Sequence, residues 1–166
     1  VATVSPLSDT ELQSAFQQLI EAQIILPQGA FSQRSYLFKH ALLQDAAYSS
    51  LLKESRRQFH DRIADGLQSK FPEIIVKTPE LLASHLAKAD RFEEAVNHWR
   101  EAGLRATRAS SNQEAINHFE IALQYLEKED PSPTHDKQEL ELQTPLAMAM
   151  TSLHGHGSPK TGAVYE

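Results

Sequence analysis

Histidine is the residue type in this chain best suited to chemistry near neutral pH, and the sequence contains eight histidines but no cysteine. The lack of cysteine excludes disulfides, thiolate metal sites and a cysteine nucleophile. His85, His98 and His118 fall on three separate predicted helices, each without a second histidine three or four residues away. No serine lies in a nucleophile elbow, and the acidic residues occupy predicted exposed helix faces. The sequence therefore predicts no catalytic residue and no metal site.

A segment near the C-terminus shares some features with a phosphate-binding loop. It contains Gly155, Gly157, Lys160 and Thr161. In such a loop the backbone amides hold phosphates and the lysine reaches the outer ones. Here Pro159 precedes the lysine where the motif requires glycine, the spacing is one residue short, and no strand precedes the segment. We therefore interpret the segment as a linker.

His40 is the residue that we single out as a candidate ligand contact. It follows the second of two short predicted strands and begins a predicted helix. Free backbone amides and the helix dipole at such a position favour an anion. The alternative is a surface or capping histidine, and the sequence leaves both open.

The elements that would position this histidine are a helix and two short strands. Ser8 and Glu11 form a capping-box pattern, and the apolar spacing that follows predicts a helix over 9–23. Two β-prone runs, 24–26 and 36–38, come next. A helix followed by two short strands predicts the remnant of a winged helix.

Helical periodicity continues through the middle of the chain. Residues 41–71 are expected to form one long helix or two, and Thr78 with Pro79 predicts a further helix over 79–88. The apolar face of the first region consists of Leu43, Ala47, Leu51, Phe59, Ile63 and Leu67. We expect the aromatic residues on such faces to pack in the core; they are Tyr48, Phe59, Trp99 and Phe119.

An internal repeat lies farther along the chain. The segment EAVNHW at 94–99, with Ala102, recurs twenty residues later as EAINHF at 114–119 with Ala122, and five of these seven positions are identical. Residues from 82 to 102 also have the spacing of a tetratricopeptide (TPR) repeat, although the period is shorter than the usual 34 residues. The predicted repeat core comprises Leu82, Leu86, Ala95, Trp99, Ala102, Ala115, Phe119 and Ala122.

The C-terminal part predicts one more helix. Ser111 and Glu114 are expected to cap the helix that carries the second copy of the repeat. Helical apolar spacing then returns over 137–150, where Pro145 should kink the helix because proline removes a backbone hydrogen bond. From His154 onward we expect a loose tail.

Composition favours a mostly α protein. The chain has 166 residues, with 40% hydrophobic residues, 6 Gly and 8 Pro, and no apolar run approaches the roughly 20 residues that a membrane span needs. Residues 34–108 carry 13 bases against 10 acids, but the two signs alternate, so a nucleic-acid partner is not expected. Because the chain begins at Val1 without a methionine and ends as if a new element were starting, we expect an excised fragment.

These patterns divide the chain into three predicted regions. Residues 1–71 would form a winged-helix-like remnant and a long helix, residues 72–130 TPR-like helical repeats, and residues 131–166 the start of a further repeat and a tail. The predicted architecture is a TPR-like α-solenoid array preceded by a winged-helix remnant with a small β-hairpin.

The segment from Tyr36 to Tyr48, YLFKHALLQDAAY, resembles the region after the ATPase core of STAND-class signalling ATPases. These are large bacterial predicted ATPases, often fused to a class III adenylate or guanylate cyclase domain. The resemblance continues at Leu51, Leu52, Arg56, His60, Ile63, Ala64, 79–83, His85, Ala95, Trp99, Ala102, Gly103, Arg105, Ala106, Asn112, Glu114, Ala115, His118, Ala122, Leu123 and 155–166. It therefore covers nearly the whole chain.

This resemblance implies a winged-helix domain after the ATPase core, and then a helical-repeat array that senses partners or ligands. The chain would contain the end of the winged helix and the first repeats. Its partners would be its own upstream ATPase core and a protein on the helical-repeat surface, in the cytoplasm. The parent protein would bind ATP or ADP with Mg²⁺ through a loop upstream, and this chain itself would hold no cofactor.

The resemblance also implies a role for His40. Many relatives use a winged-helix histidine, in a Met-His-Asp motif, to contact the β-phosphate of bound ADP. His40 matches that histidine, whereas Lys39 and Ala41 replace its neighbours. The implied role is nucleotide sensing, and it requires the ATPase core.

The expected function is that of a non-enzymatic regulatory and interaction segment. Its winged-helix remnant would dock on the ATPase core, and its helical pairs would present a partner surface. One alternative is a segment of an ATPase-type transcription regulator with a winged helix and a TPR-like sensor region. A stand-alone enzyme is the third class, and the lack of recognisable catalytic residues argues against it.

Overall fold

Eight α-helices and two short β-strands make up the described part of the computed structural model, which comprises residues 4–5, 7–29 and 35–155. Helices hold 76% of these residues, and the strands form one antiparallel pair. The predicted mostly α architecture with a small hairpin is therefore confirmed. The elements are α1 (Asp9–Glu21), β1 (Ile25–Gln28), β2 (Ser35–Phe38), α2 (Ala41–Ser50), α3 (Lys53–Lys70), α4 (Pro72–Lys77), α5 (Pro79–Lys88), α6 (Phe92–Arg108), α7 (Asn112–Leu126) and α8 (Pro133–His154).

Helix α1, the hairpin and α2 form what we call the N-terminal unit. The predicted capping box starts α1: Glu11 N–H donates to Ser8 Oγ, and Ser8 N–H donates to Glu11 Oε2 at 2.9 Å. In the hairpin Ile25 pairs with Phe38 and Gln28 with Ser35. Of the described residues before Leu52, Ile25 alone is buried, so this unit has almost no core of its own.

The region 41–71 forms two helices and not one long helix, the two alternatives that the sequence left open. Leu51 and Leu52 adopt extended backbone conformations between α2 and α3. No Gly or Pro causes the break. The Ser50 hydroxyl donates to the Ala47 carbonyl at 2.7 Å, a local bond that competes with continuation of the helix.

Five helices form what we call the helical stack, in which α3, α5, α6, α7 and α8 pack in chain order, each against the next. The short helix α4, which the sequence analysis did not predict, contacts both α3 and α5. One buried cluster comprises Ala64, Leu82, Leu86, Ala87 and Ala95. The second comprises Val96, Ala106, Ala115, Ile116, Phe119, Ala122, Leu126, Leu142, Leu146 and Ala149. Helix α6 contributes to both clusters and joins them into one continuous stack.

The turns on either side of α6 have the same conformation. Asp90 and Ser110, twenty residues apart, have φ of 61° and 59° respectively. The next amide in each turn reaches back to the preceding helix: Arg91 N–H donates to the Leu86 carbonyl at 3.0 Å, and Ser111 N–H to the Ala106 carbonyl at 2.9 Å. The internal repeat of the sequence therefore extends to the backbone of its turns.

Two predicted helix caps are wrong in detail. Thr78 and Ser111 occupy the N-cap positions of α5 and α7, but neither side chain caps its helix. The Thr78 hydroxyl instead donates to the Ile74 carbonyl at 2.8 Å, because it lies one turn after that residue in α4. Glu114 lies 3.7 Å from His118 Nε2 on its own helix and does not complete a capping box.

Helix α8 is longer than predicted and continues through Pro145. It begins at Pro133, where His135 N–H donates to Ser132 Oγ at 3.1 Å. Proline removes the hydrogen bond to the Glu141 carbonyl, and Glu141 is exposed, so water can satisfy that carbonyl.

No helix within the described ranges combines the length and the apolarity that crossing a membrane requires. Of the predicted linker and tail, residues 156–166 lie outside the described residues.

Candidate functional site

The predicted repeat core maps onto the interfaces between helices α5, α6 and α7. Seven of its eight residues are buried: Leu82, Leu86, Ala95, Ala102, Ala115, Phe119 and Ala122. Gly103 allows α6 and α7 to approach closely, since a Cβ built there would lie 2.5 Å from the Phe119 ring. These residues hold the stack together and leave no polar group for chemistry.

Trp99 and Phe119 are not equivalent in burial, although the repeat predicts that they are. Phe119 is fully buried, whereas Trp99 is only half-buried. The indole lies at the junction of the two apolar clusters, with its ring 5.3 Å from that of His118. Its Nε1 is buried without a hydrogen-bond partner among the described residues. The larger ring contacts both clusters at their junction, whereas the Phe119 ring lies within the second cluster.

His40 lies where the sequence predicts, at the N-cap position of α2. Its backbone is extended, and its side chain is exposed and does not cap the helix. Its carbonyl accepts a hydrogen bond from Leu43 N–H at 3.0 Å. The structure brings no other sequence-predicted site residue to this position.

An open cavity of about 680 Å³ lies beside α2, between the N-terminal unit and the helical stack. Its walls are mainly apolar, and its titratable side chains are Asp45, Tyr48, His60 and Lys88. The lining residues are Phe38, Gln44, Asp45, Ala47, Tyr48, Leu51, Phe59, His60 and Lys88. Since the lining comes from β2, α2, α3 and α5, the shape of the cavity depends on how the two parts of the chain meet.

The predicted packing of α2 in a closed core is wrong. None of the residues of α2 is buried, and Tyr48 is 41% exposed. Leu43 is exposed as well, and Phe59 of α3 is only half-buried. Ala47 and Tyr48 of α2 lie in the wall of the open cavity, together with the polar residues Gln44 and Asp45, so this side of the helix is not covered by another helix.

A chain of hydrogen bonds runs from the cavity wall into the helical stack. Tyr48 Oη lies 3.0 Å from His60 Nε2, and His60 Nδ1 lies 2.8 Å from His85 Nδ1. These residues belong to α2, α3 and α5, and His60 is buried. If Tyr48 donates to His60, then His60 Nδ1–H donates to His85, and the opposite order satisfies the same atoms. With both imidazoles neutral, every bond in the chain has one donor and one acceptor.

Both histidines are held in the neutral form. Burial, together with repulsion from His60 and Lys88, lowers the pKa of His85 from 6.5 to about 4. Burial lowers the pKa of His60 as well, and the Lys88 charge adds to the effect. The hydrogen-bonded chain is therefore neutral at pH 7.

The two imidazoles do not form a metal centre with their surroundings. Their Nδ1 atoms could supply two ligands, whereas a closed zinc site needs four. Within the described ranges no three His, Cys, Asp or Glu side chains are grouped so that they could hold a metal ion. What the arrangement can do is transmit a change in position or protonation from α2 to the stack.

No sequence pattern predicts this chain of hydrogen-bonded residues. His60 and His85 are 25 residues apart and lie on different helices, so no local spacing links them. The nearest signal is that His60 lies one turn before Ala64, a residue of the buried cluster on α3. A histidine on a core-facing side of a helix needs a polar partner, but the sequence does not identify that partner.

Ion pairs fix α3 to the rest of the stack. Arg91, in the turn before α6, donates to Asp61 at 3.0 Å, to Asp65 at 2.7 Å and to Glu94 at 2.7 Å. These acids raise the pKa of Arg91, with Glu94 contributing most. On α3 itself Arg57 pairs with Glu54 at 2.7 Å. The Arg91 ion pairs therefore add to the contact between α3 and α5 in holding α3 on the stack.

Comparison with known proteins gives one relative and no family. No protein-family profile and no solved structure matches the chain. An uncharacterized protein of Rhizobium meliloti (strain 1021) is 26% identical over 132 residues, which is 80% of this chain. The chain spans 13% of the length of that protein.

Proposed function

We propose that this chain is a non-catalytic regulatory and protein-interaction segment of a multidomain STAND-class signalling ATPase, one that carries a nucleotidyl cyclase. In this proposal it acts in the cytoplasm and couples nucleotide state or partner binding to output. The observation that carries the proposal is the uncovered apolar surface of the N-terminal unit.

The clearest part of that surface is one face of the hairpin. Leu26 and Leu37 pair across the two strands and are 46% and 50% exposed. Their strand neighbour Tyr36 points to the opposite face, where its ring stacks on Phe16 of α1 at 4.3 Å. Leu42 at the start of α2 is also strongly exposed. An apolar face on a unit with almost no core favours a protein partner.

The upstream ATPase core is the occupant that we propose for this face. The relative in Rhizobium meliloti is far longer than this chain, which spans 13% of its length, so a related protein has ample chain for such a core. Docking there would bury Leu26 and Leu37 and give the N-terminal unit the core that it lacks.

The buried positions of the stack support a TPR-like array that presents a partner surface. In the first helical pair, buried residues lie four positions apart on α5, at Leu82 and Leu86, and seven positions apart on α6, at Ala95 and Ala102. The pair α7 and α8 repeats it: the buried residues are Ala115, Ile116, Phe119, Leu142, Leu146 and Ala149. Together with the matching turns before and after α6, this supports a regular stack of helices that presents a continuous surface.

The nucleotide-sensing role of His40 belongs to the same proposal. Its exposed position at the start of α2 would let it contact a ligand held by the upstream core. ATP or ADP with Mg²⁺ would be bound by that core, since this chain would supply one side chain at most. In the intact protein His40→Ala should then speed ADP release and raise output, whereas unchanged values would leave His40 a surface residue.

The charges of α3 support a protein partner over a nucleic acid. Arg57 is engaged by Glu54, and the acids Asp61 and Asp65 flank Arg62 and bind Arg91. A surface that tracks phosphates would present cations that are not neutralised by adjacent acids. This weakens the alternative of a DNA-contacting segment in a transcription regulator.

Binding of the separately produced upstream core to this chain tests the proposal. Leu37→Glu should weaken binding at least about tenfold, because it places a charge in a desolvated apolar contact. The matched control is Leu140→Glu, which changes a leucine on α8 that is also exposed, at 65%, but lies far along the chain from the hairpin. Equal binding of both variants, or no binding of the unaltered chain, would contradict the proposal.

A further inference from the structure

The junction between the N-terminal unit and the helical stack is small and polar. Helix α3 packs broadly on α5, whereas α2 has no comparable interface with either helix. Among the described residues, the contacts between α2 and the stack include the hydrogen bond of Tyr48 to His60 and the Arg56 guanidinium, 5.2 Å from the centre of the Tyr48 ring. Arg62 Nη1 also donates to the carbonyl of Val4, which precedes α1, at 3.2 Å. Such a junction is held by a few specific contacts and not by a core.

The covalent link across this junction can act as a pivot. Leu51 and Leu52 have extended backbones, and the Leu52 side chain is 77% exposed, so little packing restrains the connection. A rotation there would move α2 and the hairpin while leaving the buried clusters of the stack intact. It would also change the opening of the cavity, because Tyr48 lines one wall and Phe59 another.

We propose that Tyr48, His60 and His85 form a latch that holds the N-terminal unit closed over this cavity, and that the unit opens about Leu51 and Leu52 when the latch is broken. In the closed state Tyr48 is the movable part. His60 and His85 stay with the stack, since they lie on α3 and α5, whose contact is broad. The inference deepens the proposed function, on which it rests for its purpose: a change felt by the docked unit would reach the stack through this contact.

The latch depends on the orientation of His60, because its Nε2 atom is the hydrogen-bond partner of the Tyr48 hydroxyl. The His85 Nδ1 contact at 2.8 Å fixes the ring of His60, so that His60 Nε2 points at Tyr48 Oη. Around this chain the charged or titratable side chains are Asp45 on α2, Arg56 on α3 and Lys88 on α5. Breaking the hydrogen bond between Tyr48 and His60 therefore releases the N-terminal unit from the helical stack without exposing an unpaired charge.

Distance measurement between the two parts tests the latch in the whole chain. The sequence has no cysteine, so Gln13→Cys on α1 and Glu120→Cys on α7 provide two unique exposed sites for spin labels. Tyr48→Phe removes the hydroxyl and keeps the ring, and should increase the population of longer distances about 2- to 12-fold, the range set by one hydrogen bond. Tyr36→Phe is the control, because Tyr36 packs within the N-terminal unit.

Two results would overturn the latch. One is the same distance distribution in the unaltered chain and in Tyr48→Phe. The other is an equal increase in both tyrosine variants, which would show that loss of a hydroxyl loosens the unit wherever it occurs. Neither result depends on the upstream core, whereas the docking experiment does, so the latch and the proposed function fail separately.

Discussion

The histidine pair is a residue-scale feature that makes stability depend on pH below neutrality. His85 has a pKa of about 4 in the folded chain against 6.5 otherwise, and the pKa of His60 is lowered too. When the pKa of a histidine is lower in the folded state, the unfolded state takes up the proton at a higher pH than the folded state does. The folded state therefore loses stability as the pH falls.

The free energy of unfolding should therefore decrease as the pH is lowered from 6.5 towards 4 and reach its full value above 6.5. Urea titrations at intervals of half a pH unit would measure it. The upper part of this range reports the histidines, because an acid such as Glu54, whose pKa Arg57 lowers from 4.5 to about 2 in the folded state, loses its contribution only as the pH falls through 4.5. His85→Gln should flatten the slope, and an unchanged slope in that variant would contradict the assignment.

Gly103 is the second residue whose chemistry decides a contact. A Cβ at this position would meet the Phe119 ring at 2.5 Å, and the fully buried ring has no space into which to move. Gly103→Ala should cost about 1 to 3 kcal/mol in unfolding free energy, although alanine favours helix. The control Asn97→Ala, on the exposed side of α6, should change it by less than about 0.5 kcal/mol. A Gly103→Ala chain as stable as the control would disprove the close approach of α6 and α7.

At the scale of elements, the sequence predicts where helices and strands form, but not which elements pack against each other. The capping box at Ser8, the two strands and the spacing of Leu82 with Leu86 are local patterns, and the structure contains them. The exposure of Tyr48 and its bond to His60 depend on where α2 lies relative to α3, which no periodicity encodes. Trp99 shows the same limitation, because the repeat pattern makes it equivalent to Phe119 although the structure leaves it only half-buried.

The repeat register gives an element-scale prediction. Phe119→Ala should cost roughly 3 to 5 kcal/mol, because its ring is fully buried between α6, α7 and α8. Trp99→Ala should cost less, since the indole is partly exposed and its Nε1 is unpaired among the described residues. Lys88→Ala serves as the exposed control and should cost little. Equal losses for the three variants, measured by chemical denaturation, would mean that the helix register is wrong.

At the scale of the whole molecule, two parts of different character are joined at a small polar junction. The helical stack has two continuous apolar clusters, whereas the N-terminal unit buries almost nothing and exposes an apolar hairpin face. A firm base and a weakly held unit suit conformational signalling, because little free energy is needed to move one against the other.

The central claim is that this chain responds to the nucleotide state of an upstream ATPase core. Its most direct test is calorimetric titration of the chain with that core, loaded either with ADP or with a non-hydrolysable ATP analogue. We expect binding whose dissociation constant differs at least about fivefold between the two nucleotides, since a coupled segment must distinguish the states. Equal affinity for both states, or no binding to either, would contradict the claim.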